Sequence, residues 1–145
     1  MITRLIPSMI FILLAYTSNA QEVSPDGVFH FGKGEMDWGY AQGRKVGNTL
    51  YISGTVSRGA TMEEQVKGIY ERITKTLQAY GLTSSDVVRE VLYTKDIEAM
   101  KTSNAPRMAF YDGNTPAATW VQIERLFSPT ALVEIEVEAR FDVMH

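Results

Sequence analysis

The amino-acid sequence predicts one α+β domain, in which a mixed sheet carries two helices on one face. Three features predict it: β-branched and aromatic runs typical of strands, two helical segments between such runs, and a last strand in which apolar and acidic residues alternate. The predicted order is β-β-β-α-β-α-β-β, and helices inserted between the strands of a small sheet favour packing on one face. With 145 residues, 45% of them hydrophobic, the chain can form a single domain with a real core.

The first twenty residues (1–20) are expected to be a secretory signal peptide. Residues 5–16 are almost wholly apolar, and Ser18 and Ala20 occupy the small-residue positions of a cleavage site. This apolar run is shorter than the roughly twenty residues that span a bilayer, although an uncleaved anchor is the open alternative. We therefore expect cleavage after Ala20, a single domain over 21–145, and an exported protein, periplasmic or secreted, with no membrane attachment after cleavage.

Three strands are predicted in the first part of the domain. A short strand is expected at residues 28–31, followed by strand-like runs at 39–45 and 49–56. Residues 46–48 (Val-Gly-Asn) separate the last two runs, and glycine and asparagine tolerate the positive φ of a tight turn. The two runs therefore predict a hairpin.

Residues 61–80 predict the clearest helix. Thr61 and Glu64 have the spacing of a capping box, in which the two side chains satisfy backbone N–H groups at the helix start. Apolar residues recur at spacings of three and four, and Gly81 predicts the C-terminal stop.

The second half of the domain continues with a strand, a helix and two strands. The first strand covers residues 87–94, and a less regular helix covers about 98–111 and ends before Pro116. Strands at 117–126 and 131–141 close the domain.

One face of the predicted sheet is polar. It carries Tyr40, Gln42 and Arg44 on one strand and three glutamates on the last strand: Glu134, Glu136 and Glu138. Such a face is usually solvated, but it could also form a subunit interface where opposite charges meet, and the sequence leaves both open.

Charge and composition argue against several classes of partner. The net charge is −3 and basic residues are scattered, so nucleic acid is not expected as a partner. The chain has no cysteine, which excludes disulfides, thiol nucleophiles and thiolate metal sites. His30 and His145 lie far apart in the sequence, so we expect neither a metal site nor a cofactor.

Six segments carry a resemblance to a known family. They are residues 40–43 (Tyr-Ala-Gln-Gly), 50–54 (Leu-Tyr-Ile-Ser-Gly), 86–96, Asn104 with 110–111, 115–119 (Thr-Pro-Ala-Ala-Thr) and 131–136. In their order and spacing over about residues 38–141, these segments resemble the Rid (reactive intermediate deaminase, YjgF-like) family. The resemblance implies a chorismate-mutase-like fold, a homotrimer whose sheets enclose a barrel-like core, and small-molecule sites in clefts between subunits.

The resemblance also implies a chemistry. Deaminating members hydrolyse reactive enamines and imines to keto products and ammonia, with a glutamate that positions the attacking water. By position, Glu134 resembles this catalytic glutamate. Tyr40, Ser53 and Asn104 resemble the tyrosine, serine and asparagine that shape the substrate pocket.

The sequence departs from the family pattern at one position. The arginine that pairs with the substrate carboxylate falls on Ala118, which offers neither charge nor a hydrogen-bond donor. Losing such a pair costs about 2–5 kcal/mol when the partner charge is desolvated, or about thirtyfold to several-thousandfold. Two residues on, Trp120 projects from the same face and would make the pocket narrower and more apolar. Arg44 is the one candidate to replace the missing guanidinium.

Each of these residues also fits a plainer structural role. Glu134 could belong to a solvated acidic face, Tyr40 could be a packed aromatic, and Trp120 could be core or interface. Ser53 could make a local turn bond, and Asn104 could bond to a loop.

Two functions therefore stay open: an imine or enamine hydrolase with an altered substrate, and a non-catalytic trimer that binds a small ligand. A ribonuclease, an activity also attached to family names, is disfavoured by the acidic balance and by the lack of a histidine pair.

Overall fold

A six-stranded mixed sheet forms the centre of the domain in the computed structural model, which describes residues 22–142. The strands are β1 (Val28–Phe29), β2 (Gly43–Val46), β3 (Thr49–Thr55), β4 (Val87–Thr94), β5 (Ala117–Gln122) and β6 (Val133–Arg140). The helices are α1 (Lys33–Asp37), α2 (Met62–Ala79), α3 (Ile97–Thr102) and α4 (Ala105–Tyr111), with a 3₁₀ turn at Ser84–Asp86. The predicted signal peptide, 1–20, lies outside the described residues.

The strands lie in the order β1-β2-β3-β6-β4-β5. Only the β4–β5 pair is parallel within the described residues; every other neighbouring pair is antiparallel. The predicted hairpin is confirmed, since β2 and β3 pair directly and Gly47 between them has a φ of 58°. The last strand thus inserts at the centre of the sheet, between β3 and β4, where both of its edges are paired.

One hydrophobic core fills the space between the sheet and the helices, as the predicted α+β layers require. Alternation along β6 is confirmed: Val133, Ile135, Val137 and Ala139 are buried, whereas the intervening glutamates are only partly buried. Residues of α2, α3 and α4 join the same core, among them Ile69, Ile73, Leu77, Met100 and Tyr111. All three helices therefore cover one face of the sheet and leave the glutamate-bearing face uncovered within the described chain.

The capping signals of α2 act as predicted. The Thr61 hydroxyl accepts a hydrogen bond from the Glu64 backbone N–H at 3.2 Å, and the Glu64 carboxylate accepts one from the Thr61 N–H at 3.0 Å. Gly81 follows the helix with a φ of 72°, in the left-handed region that glycine adopts readily. The helix ends one residue earlier and begins one residue later than predicted.

Two predicted elements and the placement of Gln42 differ from the structure. The helix predicted at 98–111 is two helices, because Pro106 lacks an N–H and its ring would clash with the carbonyl of residue 102 in a continuous helix. The strand predicted at 39–45 begins only at Gly43, because the chain turns at Gly39 after α1 and residues 40–42 form a loop. Gln42, predicted on the polar face, is instead buried, with its side-chain amide donating to Thr55 Oγ1 at 2.9 Å.

No helix within residues 22–142 is long and apolar enough to cross a bilayer.

Candidate functional site

The site begins with a β-bulge in β3. Ile52 pairs with Val137 and Thr55 pairs with Ile135, so Ser53 and Gly54 together face the single residue Glu136 on β6. An extra residue of this kind bends the strand and redirects its side chains. A Cβ at position 54 would overlap the Glu134 carboxylate, so any larger residue there would displace that side chain.

A hydrogen-bonded chain holds the preceding loop against this bulge. The Ser53 hydroxyl donates to the Ala41 carbonyl at 2.6 Å, and the Ser53 backbone N–H donates to the Gln42 carbonyl at 3.0 Å. The Thr55 hydroxyl donates to the Ser53 carbonyl at 2.9 Å. The serine hydroxyl is therefore committed to the backbone, and it fixes the loop that carries Tyr40.

Helix α1 fixes the other end of that loop. The Glu35 carboxylate accepts a hydrogen bond from the Gly32 N–H at 3.0 Å, and the Tyr40 N–H donates to the Glu35 carbonyl, also at 3.0 Å. Gly39 turns the chain with a φ of 73°, directly after Trp38. Trp38 and Tyr40 are thereby brought to the same side of the bulge.

A cleft of about 430 Å³ lies between these elements, with aromatic side chains at its mouth. Its lining includes Trp38, Tyr40, Ser53, Gly54, Phe127 and Glu134. The Trp38 and Phe127 rings meet edge to face at 5.3 Å between centroids, although the two residues are 72% and 75% exposed. Large exposed aromatics at a concave site are typical of ligand or partner binding.

Glu134 is the titratable group at the base of this cleft. Burial, with a contribution from Glu136, raises the pKa of its carboxyl group above the usual value. Burial also raises the pKa of Tyr40, with smaller contributions from Glu35 and Glu134. Glu138 has an ion pair with Arg89 at 2.8 Å, but Glu134 pairs with no cation among residues 22–142. A partly buried carboxylate with a raised pKa is a stronger base than an exposed one, which suits it to accept and return a proton.

The remaining predicted site residues form a second group, on the other face of the sheet. Ala118 pairs with Glu90 and Trp120 pairs with Leu92, a core residue, so both side chains point toward the helices. Glu134 points away from the helices, because its neighbours Val133 and Ile135 are in the core. Within one chain, Ala118 and Trp120 therefore do not join Glu134.

Asn104 lies near this second group, at the junction of α3 and α4. It precedes α4, and its side-chain oxygen is buried without a hydrogen-bond partner among residues 22–142. The structure thus divides the six predicted residues into a cleft group (Tyr40, Ser53 and Glu134) and an α4–β5 group (Asn104, Ala118 and Trp120).

Glu90, at the centre of the α4–β5 group, was not anticipated from the sequence. Glu90 is completely buried on β4, and four donors surround its carboxylate: Tyr70 Oη at 2.7 Å, Tyr111 Oη at 2.6 Å, Arg107 Nε at 2.8 Å and Trp120 Nε1 at 3.3 Å. One signal was available, because Glu90 shares the inward-facing parity of the buried Leu92 on β4. A charged side chain at an inward-facing, buried position requires an ion pair or hydrogen-bond donors.

Two further sequence expectations can be compared with the structure. Arg44 pairs with Tyr51, which pairs with Glu138, so it lies four residues along the sheet from Glu134 and does not line the cleft. Arg44 therefore does not reach Glu134 within one chain. Trp38 and Phe127 were missed, although each is a large aromatic next to turn-forming residues, an unusual place for a core side chain.

Within the described part of the chain, no three His, Cys, Asp or Glu residues are grouped so as to hold a metal ion.

Comparison with known proteins gives consistent matches. The sequence model of the family described as Endoribonuclease L-PSP matches residues 36–141. A RutC family protein of Saccharolobus solfataricus is 34% identical over 70% of this chain and 86% of its own length. The 2-iminobutanoate/2-iminopropanoate deaminase of Salmonella typhimurium is 30% identical over 69% of this chain and 84% of that protein.

The solved structures agree. The crystal structure of a YjgF/YER057c/UK114 family member from Mycobacterium tuberculosis superposes with a TM-score of 0.73 and 27% identity. It covers 79% of this chain and 97% of its own.

Proposed function

Because the chain belongs to the family described as Endoribonuclease L-PSP, together with the RutC and YjgF proteins, we propose that it hydrolyses a reactive imine or enamine to a keto product and ammonia. The Salmonella relative named as a 2-iminobutanoate/2-iminopropanoate deaminase supports this reaction class. The single observation that carries the proposal is the Glu134 carboxyl group, which has a raised pKa and no cation partner within residues 22–142, at the base of an aromatic cleft.

Glu134 would act on water rather than on the substrate carbon. It accepts a proton from a water molecule as the water oxygen bonds to the imine carbon, and the C=N bond becomes a single bond. The same carboxyl group returns the proton to the nitrogen. The hydroxyl proton then passes through the same carboxylate to the nitrogen, the C–N bond breaks, and ammonia leaves as the carbonyl forms. No oxidant or reductant is needed.

The two groups of site residues support an assembly of several copies. Glu134 and Ala118 lie on opposite faces of one sheet, so a site that uses both groups requires the cleft of one chain to meet the α4–β5 region of another. The glutamate-bearing face also exposes Tyr51, Val88 and Val121, which are 47%, 39% and 39% exposed. We propose a homotrimer in which these faces turn inward, a state that mass measurement in solution tests directly.

Imines generated in situ by an amino-acid oxidase test the proposed activity. The wild-type protein should accelerate release of the keto product over the uncatalysed rate, and Glu134→Gln should lower this acceleration by about 10²–10⁴-fold. Glu124→Gln is a matched control, because Glu124 is exposed and outside the cleft. The proposal fails if the wild-type protein accelerates the hydrolysis of neither acidic nor neutral imines.

A second function is favoured by Ala118, where the family has a catalytic contact. The chain could bind a small ligand in the same cleft without turning it over. Titration monitored by tryptophan fluorescence separates the two functions, since Trp38 lines the cleft and Trp120 lies in the second group. Saturable quenching without any keto-product release would favour binding alone.

Export is a further part of the proposal. Every helix and strand described begins at or after Val28, so cleavage after Ala20 would leave them all intact. Expression with the native N terminus in a bacterium, followed by N-terminal sequencing, should give a mature chain that begins at Gln21. A protein that retains Met1 in the cytoplasm would contradict this.

A further inference from the structure

Arg107 lies on α4 beside the position where the family arginine is absent. Ala118 is exposed, and its register partner on the neighbouring strand is Glu90. The Arg107 Nε donates to Glu90 Oε1 at 2.8 Å, and its guanidinium carbon lies 5.3 Å from the centroid of the Trp120 ring. Glu90 and Trp120 both border Ala118 on the helix-facing side of the sheet, so the guanidinium reaches the space next to Ala118 from the helix layer.

The contacts of Arg107 leave part of its donor set available. Its Nε atom donates to Glu90, but neither terminal nitrogen donates to an acceptor among residues 22–142. Neither terminal nitrogen is among the fully buried atoms that lack a partner in this part of the chain, so both remain accessible. The two terminal nitrogens of a guanidinium form the fork that binds a carboxylate bidentately. The Arg107 side chain is 14% exposed, which is enough for a small ligand to reach one edge of the group but not for free rotation in water.

Glu90 acts as the anchor of this arginine. Its carboxylate also accepts hydrogen bonds from Tyr70 and Tyr111, so it is held in place independently of Arg107. The guanidinium also makes cation–π contacts with two rings, its carbon lying 4.9 Å from the Tyr111 centroid and 5.3 Å from the Trp120 centroid. Such contacts favour a planar cation in one orientation and reduce the entropy lost when a carboxylate binds.

We propose that Arg107 replaces the guanidinium missing at position 118 and binds the carboxylate of a small 2-imino acid. The cation has moved from β5 to α4, and the small side chain of Ala118 leaves the room that a carboxylate requires. This inference rests on the proposed function for the identity of the substrate, but the binding of a carboxylate can be measured without turnover. Trp120 would then form an apolar wall beside the carboxylate and limit the size of the substrate side chain.

Two paired substrates test the role of Arg107. One is 2-iminobutanoate, and the other is the same imine with its carboxylate replaced by a carboxamide. Arg107→Met should lower kcat/KM for the acid by about thirtyfold to several-thousandfold. The amide should change by less than about threefold, since no charge-assisted bond is lost. Arg107→Lys should recover part of the loss, because lysine keeps the charge but not the fork.

Binding of 2-oxobutanoate, measured by calorimetry, separates this inference from the proposed function. The wild-type protein and Glu134→Gln should bind it, whereas Arg107→Met should bind at least about thirtyfold more weakly. Binding without any turnover would overturn the proposed function and leave the role of Arg107 standing. Equal binding by Arg107→Met, or no binding by the wild-type protein, would overturn the role of Arg107.

Two further variants guard against loss of folding. Arg107→Met combined with Glu90→Gln removes both charges of the buried pair, so it avoids an unpaired buried carboxylate while still lacking the cation. Its loss for the acid should equal that of Arg107→Met. Arg140→Met is the matched arginine control, because Arg140 is 41% exposed and pairs with Asp142 at 2.9 Å; it should bind 2-oxobutanoate like the wild-type protein.

Discussion

Replacing Glu90 should destabilise the domain more than any exposed glutamate could. Its side chain is completely buried, and the variant Glu90→Ala would leave the Tyr70 and Tyr111 hydroxyls and the Arg107 guanidinium without their acceptor. Burial and the Glu90 carboxylate raise the pKa of both tyrosines, which therefore stay protonated as donors. The variant would leave these buried donors without an acceptor.

The size of the loss follows from these contacts. Breaking a buried ion pair by removing one partner costs about 3–5 kcal/mol, and each buried hydroxyl left without an acceptor costs about 1–3 kcal/mol. These costs overlap, because water enters the vacated space, and we expect a decrease of about 4–6 kcal/mol in the free energy of unfolding. Glu90→Gln keeps one acceptor oxygen and should lose about 1–3 kcal/mol.

Urea denaturation measures this loss. For a slope of about 2 kcal/mol per molar urea, the Glu90→Ala midpoint should fall by about 2–3 M. Glu98→Ala is the matched control, because Glu98 is 77% exposed and pairs with Lys101 at 2.7 Å, and it should lose less than about 1 kcal/mol. Glu90→Leu with Arg107→Met should recover only the part of the loss that comes from the unpaired charge, since the Tyr70 and Tyr111 hydroxyls still lack their acceptor. If Glu90→Ala lowered the free energy of unfolding no more than Glu98→Ala, the hydrogen bonds and ion pair of Glu90 would not stabilise the domain.

Three other predictions concern the cleft and helix α2. The pKa of Glu134 is raised, so this group holds its proton more tightly in the folded chain than in the unfolded chain. The free energy that Glu134 contributes to folding therefore falls as the pH rises from the unfolded-state pKa to the folded-state pKa. Thermal unfolding should therefore show Glu134→Gln to be more stable than the wild-type protein at pH 8, with no such gain at pH 3; a gain of equal size at both values would refute this. Gly54→Ala should displace the Glu134 carboxylate and lower imine hydrolysis by about a hundredfold, whereas Gly34→Ala, where no atom lies within 4 Å of the added methyl, should not. Thr61→Ala removes the hydroxyl that caps α2 and should lower the free energy of unfolding by about 1 kcal/mol in urea denaturation, and an unchanged midpoint would argue against the cap.

Strong local signals made most of the fold predictable. The alternation along β6 and the capping box of α2 each depend on residues close together in the sequence, and both were confirmed. Helix α1 was missed, because five residues that include Gly34 give too little periodicity to reveal a helix. The break before α4 could have been inferred from Pro106, because proline lacks the N–H that a continuous helix uses at that position.

The arrangement of the candidate site was less accessible from sequence. The cleft depends on a bulge at Ser53 and Gly54, and a bulge appears only when the register with β6 is known. The pairing of Glu90 with Arg107 joins residues 17 positions apart on a strand and a helix, and no local pattern predicts that they meet. Tertiary contacts of this kind decide which side chains meet Glu90 on the helix side of the sheet.

Strand β5 has a consequence for how the protein behaves outside an assembly. It ends the sheet, with β4 on one side only, and its six residues include no proline and no charged side chain. Edge strands in proteins usually carry lysine or proline, or are covered by another segment, which prevents them from pairing with other chains. A variant that weakens contacts between copies should therefore precipitate rather than yield soluble monomers, and a lysine introduced in place of Val121, which is 39% exposed, should restore solubility.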